Sequence, residues 1–173
     1  MCGIFGTINK ELISINALKT LAKHAVQRGS DSSGLISNRG SLCQVNRADF
    51  NINKLLSSQD ISESKYIVGH SRLITNGLTD NQPVVRGDIL VVHNGIVVND
   101  VDIWNKIGLQ RLFDIDSEVI AAIAENHLFN GGDLETLPKV ILDLCEGTIS
   151  TAIVLPRLGK LILFSNNGSL YIG

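Results

Sequence analysis

A cysteine follows the initiator methionine directly in the opening stretch MCGIFG. Removal of Met1 would leave Cys2 with a thiol and a free α-amine on the same residue. The pKa of an α-amine is about 7.7–8.0, near the pH at which a general base works best. Cys2 could therefore supply both nucleophile and base, as N-terminal threonine nucleophiles do. The alternative is a small apolar residue at the start of a buried strand.

Acyl transfer from an amide also needs hydrogen-bond donors for the oxyanion. The stretch HNG at 93–95 offers two of them, the side-chain amide of Asn94 and the backbone N–H of Gly95, at the end of the apolar run DILVV. An Asn-Gly pair is also a common hairpin turn. On this stretch alone, both the oxyanion hole and the turn stay open.

Two charged residues could bind an amino-acid substrate. Arg72, in the stretch GHSRLITNG at 69–77, could clamp a carboxylate with two parallel hydrogen bonds, or it could form a surface or structural ion pair. Asp116 could hold an ammonium group, or it could cap the helix that the following residues predict. Each residue taken alone favours the structural role.

Length and composition favour one globular domain of 173 residues, with 44% hydrophobic and 18% charged residues. The net charge of −2 and the lack of a Lys/Arg run predict no nucleic-acid partner. No apolar run approaches the roughly 20 residues of a membrane span, so we expect no membrane association.

The sequence lacks paired metal ligands and glycine-rich nucleotide motifs, so we expect no metal and no cofactor. The three cysteines, Cys2, Cys43 and Cys145, are far apart and fit reduced thiols in a cytoplasmic protein.

Hydrophobic patterning predicts the elements that must position these residues. The predicted strands lie at 2–9, 66–71, 88–94, 148–155, 159–165 and 169–173, with a hairpin around Asn38–Gly40. Helices are predicted after Ser14, which is a suitable N-cap, and over 115–129 and 133–146. Residues 50–64 are polar and ambiguous. The order of elements predicts packed sheets with helices outside them, and argues against a parallel βαβ sheet.

Six motifs occur in one order along the first 120 residues. Together they resemble the glutaminase domain of class II glutamine amidotransferases, a family that includes glucosamine-6-phosphate synthase, amidophosphoribosyltransferase and asparagine synthetase. The stretch 146–173 resembles the strands that follow in that family. The six motifs are MCGIFG at 1–6, QRGSDSSG at 27–34, GHSRLITNG at 69–77, NQPV at 81–84, VVHNGIVVN at 91–99 and IDSEVI at 115–120.

The resemblance implies an α+β fold, the four-layer αββα sandwich of the N-terminal nucleophile hydrolase type. It implies Cys2 as nucleophile with its own amine as base, and Asn94 with Gly95 as oxyanion hole. Arg72 would hold the α-carboxylate of glutamine and Asp116 the α-ammonium. Five further residues would lie in the pocket or near the nucleophile: Thr75, Asn76, Gly77, Arg28 and Gly29.

Two positions depart from one branch of this family. Leu73 and Asn76 stand where the glucosamine-6-phosphate synthase pattern has an aromatic residue and a histidine. The Arg-Leu pair and the triplet NQP look more like the other branches. The resemblance therefore carries no sugar specificity over to this chain.

We expect residues 1–173 to form one glutaminase domain, with a C-terminal end that could be cut short and with the acceptor domain absent. Its reaction would be the glutaminase half-reaction of a class II amidotransferase. Glutamine would be hydrolysed through a Cys2 thioester, and ammonia would pass to an acceptor domain or synthase subunit within an oligomer. Two alternatives stay open: an amidase of the same fold with another substrate, and a catalytically silent module kept for assembly.

Overall fold

The computed structural model describes residues 2–11, 13–73 and 81–173. The chain divides into two compact units, residues 1–83 and residues 84–173. Each unit is built on one four-stranded antiparallel sheet with helices packed against it. The expectation that the chain does not form a parallel βαβ sheet is therefore confirmed.

The described residues of the first unit form four strands and two helices. Its sheet has the order β1-β4-β2-β3, and both faces of the central strands β2 and β4 are buried. The helices bury Leu18, Ile52 and Leu55 against Leu35 and Ile67 of the sheet. The elements are β1 (Gly3–Ile8), α1 (Ile15–Val26), β2 (Ser32–Arg39), β3 (Leu42–Ala48), α2 (Ile52–Ser58) and β4 (Tyr66–Arg72).

Helix α1 begins where its sequence predicts. The side chain of Ser14 accepts a hydrogen bond from the N–H of Ala17 at 3.4 Å, which satisfies one of the open donors of the first turn. The end of α1 packs closely on β1, because a Cβ at Gly3 would lie only 2.7 Å from the carbonyl oxygen of Ala25. Glycine at position 3 thus lets the helix lie directly over the start of the chain.

The second unit has the sheet order β5-β6-β7-β8. Its core lies between this sheet and α4, with Val91, Ile120 and Ile153 among the fully buried side chains. The elements are β5 (Val84–Arg86), β6 (Ile89–Val97), α3 (Asp100–Ile107), α4 (Glu118–Phe129), α5 (Leu137–Leu144), β7 (Gly147–Leu155) and β8 (Lys160–Ser165), with one 3₁₀ turn at Pro156–Leu158.

Several features differ from the sequence-based expectation, among them strand β5, which has only three residues. Helix α2 lies in the stretch left ambiguous, and helix α3 was not predicted; they have only seven and eight residues, too few for a clear periodicity. Residues 169–173 form no strand. Tyr171 and Ile172 are exposed there, and apolar residues without a partner strand do not form a ladder.

None of the helices in the described part of the chain is long and apolar enough to cross a membrane.

Candidate active site

The pairing of β1 with β4 places the chain start. Gly3 lies opposite Ser71 in this antiparallel pair, so the next positions outward on the two strands are Cys2 and Arg72. Arg72 is in turn paired with Ser32 of β2. The predicted nucleophile and the predicted carboxylate ligand therefore lie at the same end of the first sheet.

Arg28 holds the main chain at Cys2, the predicted nucleophile. Its Nε donates to the carbonyl oxygen of Cys2 at 3.0 Å. Arg28 and Gly29 follow the last turn of α1, where their N–H groups donate to the carbonyls of Ala25 and Val26. The end of α1 thus brings the Arg28 guanidinium beside residue 2.

The loop that contains Gly29 runs tightly against the end of β4. A Cβ at Gly29 would collide with the backbone of Arg72 and Leu73, so only glycine fits this approach. The hydroxyl of Ser71 donates to the carbonyl of Gly29 at 2.5 Å, and the N–H of Asp31 donates to the carbonyl of Arg72 at 2.9 Å. These contacts fix the backbone on either side of Arg72.

Arg72 is buried, with 7% of its surface exposed. This burial excludes the exposed surface ion pair that was one alternative for this residue. The predicted pocket residues Thr75, Asn76 and Gly77 lie outside the described residues.

Asn81, from the NQPV motif, anchors the chain where the described residues resume. Its amide nitrogen donates to the carbonyls of Ser33 and Ala48, both at 3.0 Å. Its amide oxygen accepts from the hydroxyl of Ser32 at 3.3 Å and from the N–H of Gln82 at 2.8 Å. The sequence alone indicates no role for Asn81. These four bonds show that it fastens this segment to β2 and β3.

In the second unit, Asn94 and Gly95 lie inside β6, where Asn94 is opposite Ser150 of β7. The hairpin-turn interpretation is therefore wrong, and so is the predicted strand end at residue 94, since β6 continues to Val97. Gly95 has a φ of +154°, and a Cβ there would collide with the carbonyl oxygen of Thr148. The strand can pass β7 at this point only with glycine.

The carboxylate of Asp116 links the turn before α4 to β6. Its Oδ2 accepts from the N–H of Val97 at 2.9 Å, and its Oδ1 accepts from the N–H of Ser117 at 2.8 Å. Helix α4 begins at Glu118, so Asp116 does not cap it in the way that the structural alternative required. The hydroxyl of Ser117 also lies 3.4 Å from Oδ1. Oδ2, which accepts from Val97, can accept a further hydrogen bond, which leaves capacity for an ammonium group.

His93 is the buried member of the HNG stretch, with 1% of its surface exposed. Its Nδ1 lies 3.0 Å from the hydroxyl oxygen of Ser117, and its Nε2 lies 3.2 Å from the carbonyl oxygen of Thr148. Burial lowers the pKa of His93 below its ordinary value, although the nearby Asp116 acts to raise it. The ring is therefore neutral at neutral pH. The sequence analysis assigned it no role.

A buried ion cluster holds the loop that leads into α4. The Nη1 of Arg86 donates to Oε1 of Glu118 at 2.5 Å and to the carbonyl of Gln110 at 3.0 Å. Glu118 also accepts from the N–H groups of Leu112 and Phe113. Sequence reasoning missed this cluster; a glutamate at the head of the apolar helix EVIAAIA was the signal that could have found it.

The predicted site residues form two sets, one in each unit. The first unit contains Cys2, Arg28, Gly29 and Arg72, and the second contains Asn94, Gly95 and Asp116. Among the residues that the structure describes, no cluster of three or more His, Cys, Asp or Glu side chains could hold a metal ion.

The fold defines the class of protein to which this chain is similar. The chain matches the structure of glutamine phosphoribosylpyrophosphate amidotransferase from B. subtilis with a TM-score of 0.74, at 21% identity, over 95% of this chain and 37% of that chain. The predicted fold class, α+β of the N-terminal nucleophile hydrolase type, is thereby confirmed.

The sequence is similar to glutamine–fructose-6-phosphate aminotransferases (isomerizing). That of Caulobacter vibrioides is 30% identical over 178 residues, which are 98% of this chain and 29% of the relative. That of Thermococcus kodakarensis is 29% identical over 184 residues, which are 100% of this chain and 30% of the relative. The chain thus spans less than a third of the length of these relatives. No family model matches it. The resemblance to the glutaminase domain of class II glutamine amidotransferases is confirmed.

Proposed function

We propose that the chain hydrolyses the side-chain amide of L-glutamine to glutamate and ammonia through a thioester on Cys2. The observation that carries this proposal is the pairing of β1 with β4, which brings residue 2 to the strand end that holds Arg72. A cysteine with a free α-amine, next to an arginine that can bind a carboxylate, has the groups that an N-terminal nucleophile needs for an amino-acid amide.

The names of the relatives support glutamine as the substrate and leave the acceptor open. The sequence relatives are named for glutamine and fructose 6-phosphate, and the structural relative is named for glutamine and phosphoribosylpyrophosphate. Glutamine is common to both, whereas the second compound differs. We therefore carry over glutamine and no acceptor.

In the proposed reaction, the α-amine of processed Cys2 takes the thiol proton and the sulfur attacks the amide carbon. The side-chain amide of Asn94 and the N–H of Gly95 stabilise the oxyanion that forms. The carbon–nitrogen bond then breaks, and the α-ammonium of Cys2 gives its proton to the nitrogen, which leaves as ammonia. Water then attacks the thioester carbon and gives a proton to the amine, which is again the base. The carbon–sulfur bond breaks, glutamate is released, and the α-ammonium returns the proton to the Cys2 thiolate.

Substrate binding is assigned to charges of opposite sign. Arg72 binds the α-carboxylate of glutamine and Asp116 binds its α-ammonium, because each can form charge-assisted hydrogen bonds with that group. The remaining proposed binding residues are Thr75, Asn76 and Gly77 in the pocket and Arg28 and Gly29 beside the nucleophile.

The ammonia goes to an acceptor domain or a synthase subunit, and we propose that the chain acts in the cytoplasm as part of an oligomer. The part of this proposal that concerns the acceptor is supported by the length of the relatives, which are more than three times as long as this chain.

The first prediction tests the nucleophile. The purified chain should release glutamate from glutamine, and its intact mass should show the loss of Met1. Cys2→Ala should abolish both turnover and labelling by a diazoketone analogue of glutamine. Cys43→Ala and Cys145→Ala are the matched controls and should keep both; burial raises the pKa of the Cys145 thiol to about 12, which makes it a poor nucleophile at neutral pH.

Other results would contradict the proposal in distinct ways. Normal turnover by a protein that retains Met1 would exclude the α-amine as base. Labelling that persists in Cys2→Ala would move the nucleophile to another residue. Hydrolysis of other amides without glutamine would favour a different amidase, and no hydrolysis at all would favour a silent module.

A further inference from the structure

We propose that His93 is a positioning residue that holds the glutamine-binding carboxylate of Asp116 in register with the oxyanion donors on β6. The inference rests on the proposed glutaminase function and assigns a role to the one residue of HNG that this function leaves unused. It starts from the two contacts of the buried ring, one with Ser117 and one with Thr148.

The partners of the ring determine its tautomer. The carbonyl oxygen of Thr148 can only accept, so Nε2 carries the proton and donates to it at 3.2 Å. Nδ1 is then an acceptor. The hydroxyl of Ser117 lies 3.0 Å from it and 3.4 Å from Oδ1 of Asp116, so we assign its one proton to the nearer acceptor, Nδ1. The burial-lowered pKa agrees with this neutral state. Both ring nitrogens of His93 thus serve to connect β7 with the turn that precedes α4.

This connection gives Asp116 two attachments to the same strand. Directly, its Oδ2 accepts from the N–H of Val97. Indirectly, its Oδ1 accepts from the N–H of Ser117, whose hydroxyl is bonded to His93. The two attachment points, His93 and Val97, are four residues apart on one face of β6, a span of about 13 Å. Gly95 lies midway between them.

The contacts of Glu118 with Arg86 and Leu112 hold the loop that leads into α4. The bonds to Val97 and His93 act on Asp116 and Ser117 themselves, and together they set the direction of the Asp116 carboxylate. A core histidine without a functional role would be satisfied by any two partners; here one partner is the residue directly after Asp116.

The test compares two substrates in the Ser117→Ala variant of the full chain. Glutamine has an α-amino group, whereas glutaramate, 5-amino-5-oxopentanoate, lacks it and offers nothing for Asp116 to hold. We expect KM for glutamine to rise about 3- to 10-fold, the effect of one neutral hydrogen bond, with little change in kcat. Both parameters for glutaramate should stay at the parent values.

Ser64→Ala is the matched control. Ser64 is also a fully buried serine, and its hydroxyl donates to the carbonyl of Asn38 at 2.8 Å in the other unit. This variant should lose a similar amount of thermal stability and keep the parent KM for glutamine.

Variants of His93 provide the second arm. His93→Phe removes both bonds and should raise KM for glutamine at least as much as Ser117→Ala does. His93→Asn keeps a polar atom near the Nδ1 position and should recover part of that loss. If His93→Phe does not fold, the serine variant still decides the question.

An equal loss on glutamine and glutaramate would show a purely structural role and overturn the proposal for His93, as would an unchanged KM for glutamine in Ser117→Ala. In both cases the parent still hydrolyses glutamine, so the glutaminase function stands. A parent that neither binds nor hydrolyses glutamine overturns the proposed function itself, and the role of His93 with it.

Discussion

Gly95 shows how backbone geometry and chemistry are combined at a single residue. Its φ of +154° and its close approach to Thr148 exclude any side chain. In the proposed reaction, the N–H of Gly95 stabilises the oxyanion. The neighbouring Asn94, which is half-buried, is then the adjustable half of the proposed oxyanion hole.

Asn94→Ala should therefore lower kcat more than it changes KM. Loss of one preorganised oxyanion donor typically costs about 10²–10³ in kcat. Steady-state glutaminase kinetics measure the effect. Asn99→Ala is the control, because the Asn99 side chain bonds the backbone of Leu144 and Glu146 and should affect stability alone. An unchanged kcat in Asn94→Ala would remove this residue from the reaction.

Asp116→Asn should weaken glutamine binding by about 10- to 150-fold, since a charged hydrogen bond in a desolvated site contributes roughly 1.5–3 kcal/mol. It should also lower the melting temperature, because both carboxylate oxygens accept backbone N–H groups and an amide NH₂ would oppose one of these donors. Calorimetric titration on a Cys2→Ala background measures the binding. Glutaramate should bind the variant and the parent alike, and parent-like glutamine affinity would contradict the assignment.

At the scale of the elements, the loop before α4 depends on charge. Glu118 is fully buried and pairs with Arg86, which also pairs with the half-buried Glu125. The ring of Trp104 lies 5.5 Å from the guanidinium carbon. Arg86 and Glu118 each make several contacts. Removal of one charge would leave the other buried without its ion-pair partner.

Glu118→Gln should accordingly lower the free energy of unfolding by about 3–5 kcal/mol, as expected for a broken buried ion pair. Lys139→Ala is the control, because the Lys139–Asp143 pair is exposed and should contribute no more than about 1 kcal/mol. Urea denaturation of both variants provides the comparison. Similar losses in the two variants would mean that the cluster contributes little.

The elements with strong local signals were predictable from sequence. Helix α1 has a serine cap and a regular apolar stripe, and it forms as predicted. Strand β6 was cut short in the prediction, because a polar Asn-Gly pair is typical of a turn and only the pairing with β7 shows that the strand continues. Helices α2 and α3 are so short that tertiary packing decides them.

The residues of the candidate site also fall into two groups, those that the sequence predicts and those that it does not. Cys2, Arg72 and Asp116 could be proposed because their chemistry is evident from residue type and motif. The contacts of His93 could not, since its partners are 24 and 55 positions away. For Glu118, the apolar helix that follows indicates a buried carboxylate, but it does not identify the partner Arg86, which is 32 positions away. Sequence shows reactive groups more readily than it shows the groups that hold them.

At the scale of the whole molecule, the chain spans less than a third of its relatives. If it performs only the glutaminase half-reaction, glutamate and ammonia should appear in solution in equal amounts. Coupled enzymatic assays of both products measure the ratio, with Cys2→Ala as the blank. Added fructose 6-phosphate should not change it. A deficit of ammonia relative to glutamate would show that the chain itself transfers the nitrogen.

The four hydrogen bonds of Asn81 have a consequence for genome surveys. They join Asn81 to two strands and to the next residue of the chain. The asparagine of NQPV therefore indicates that this segment is folded against the sheet, and it does not indicate whether the protein is catalytically active. A sequence search based on this motif would retrieve both active enzymes and catalytically inactive relatives. A paralogue that keeps this asparagine but has alanine at position 2 would then be a natural candidate for a regulatory pseudoenzyme.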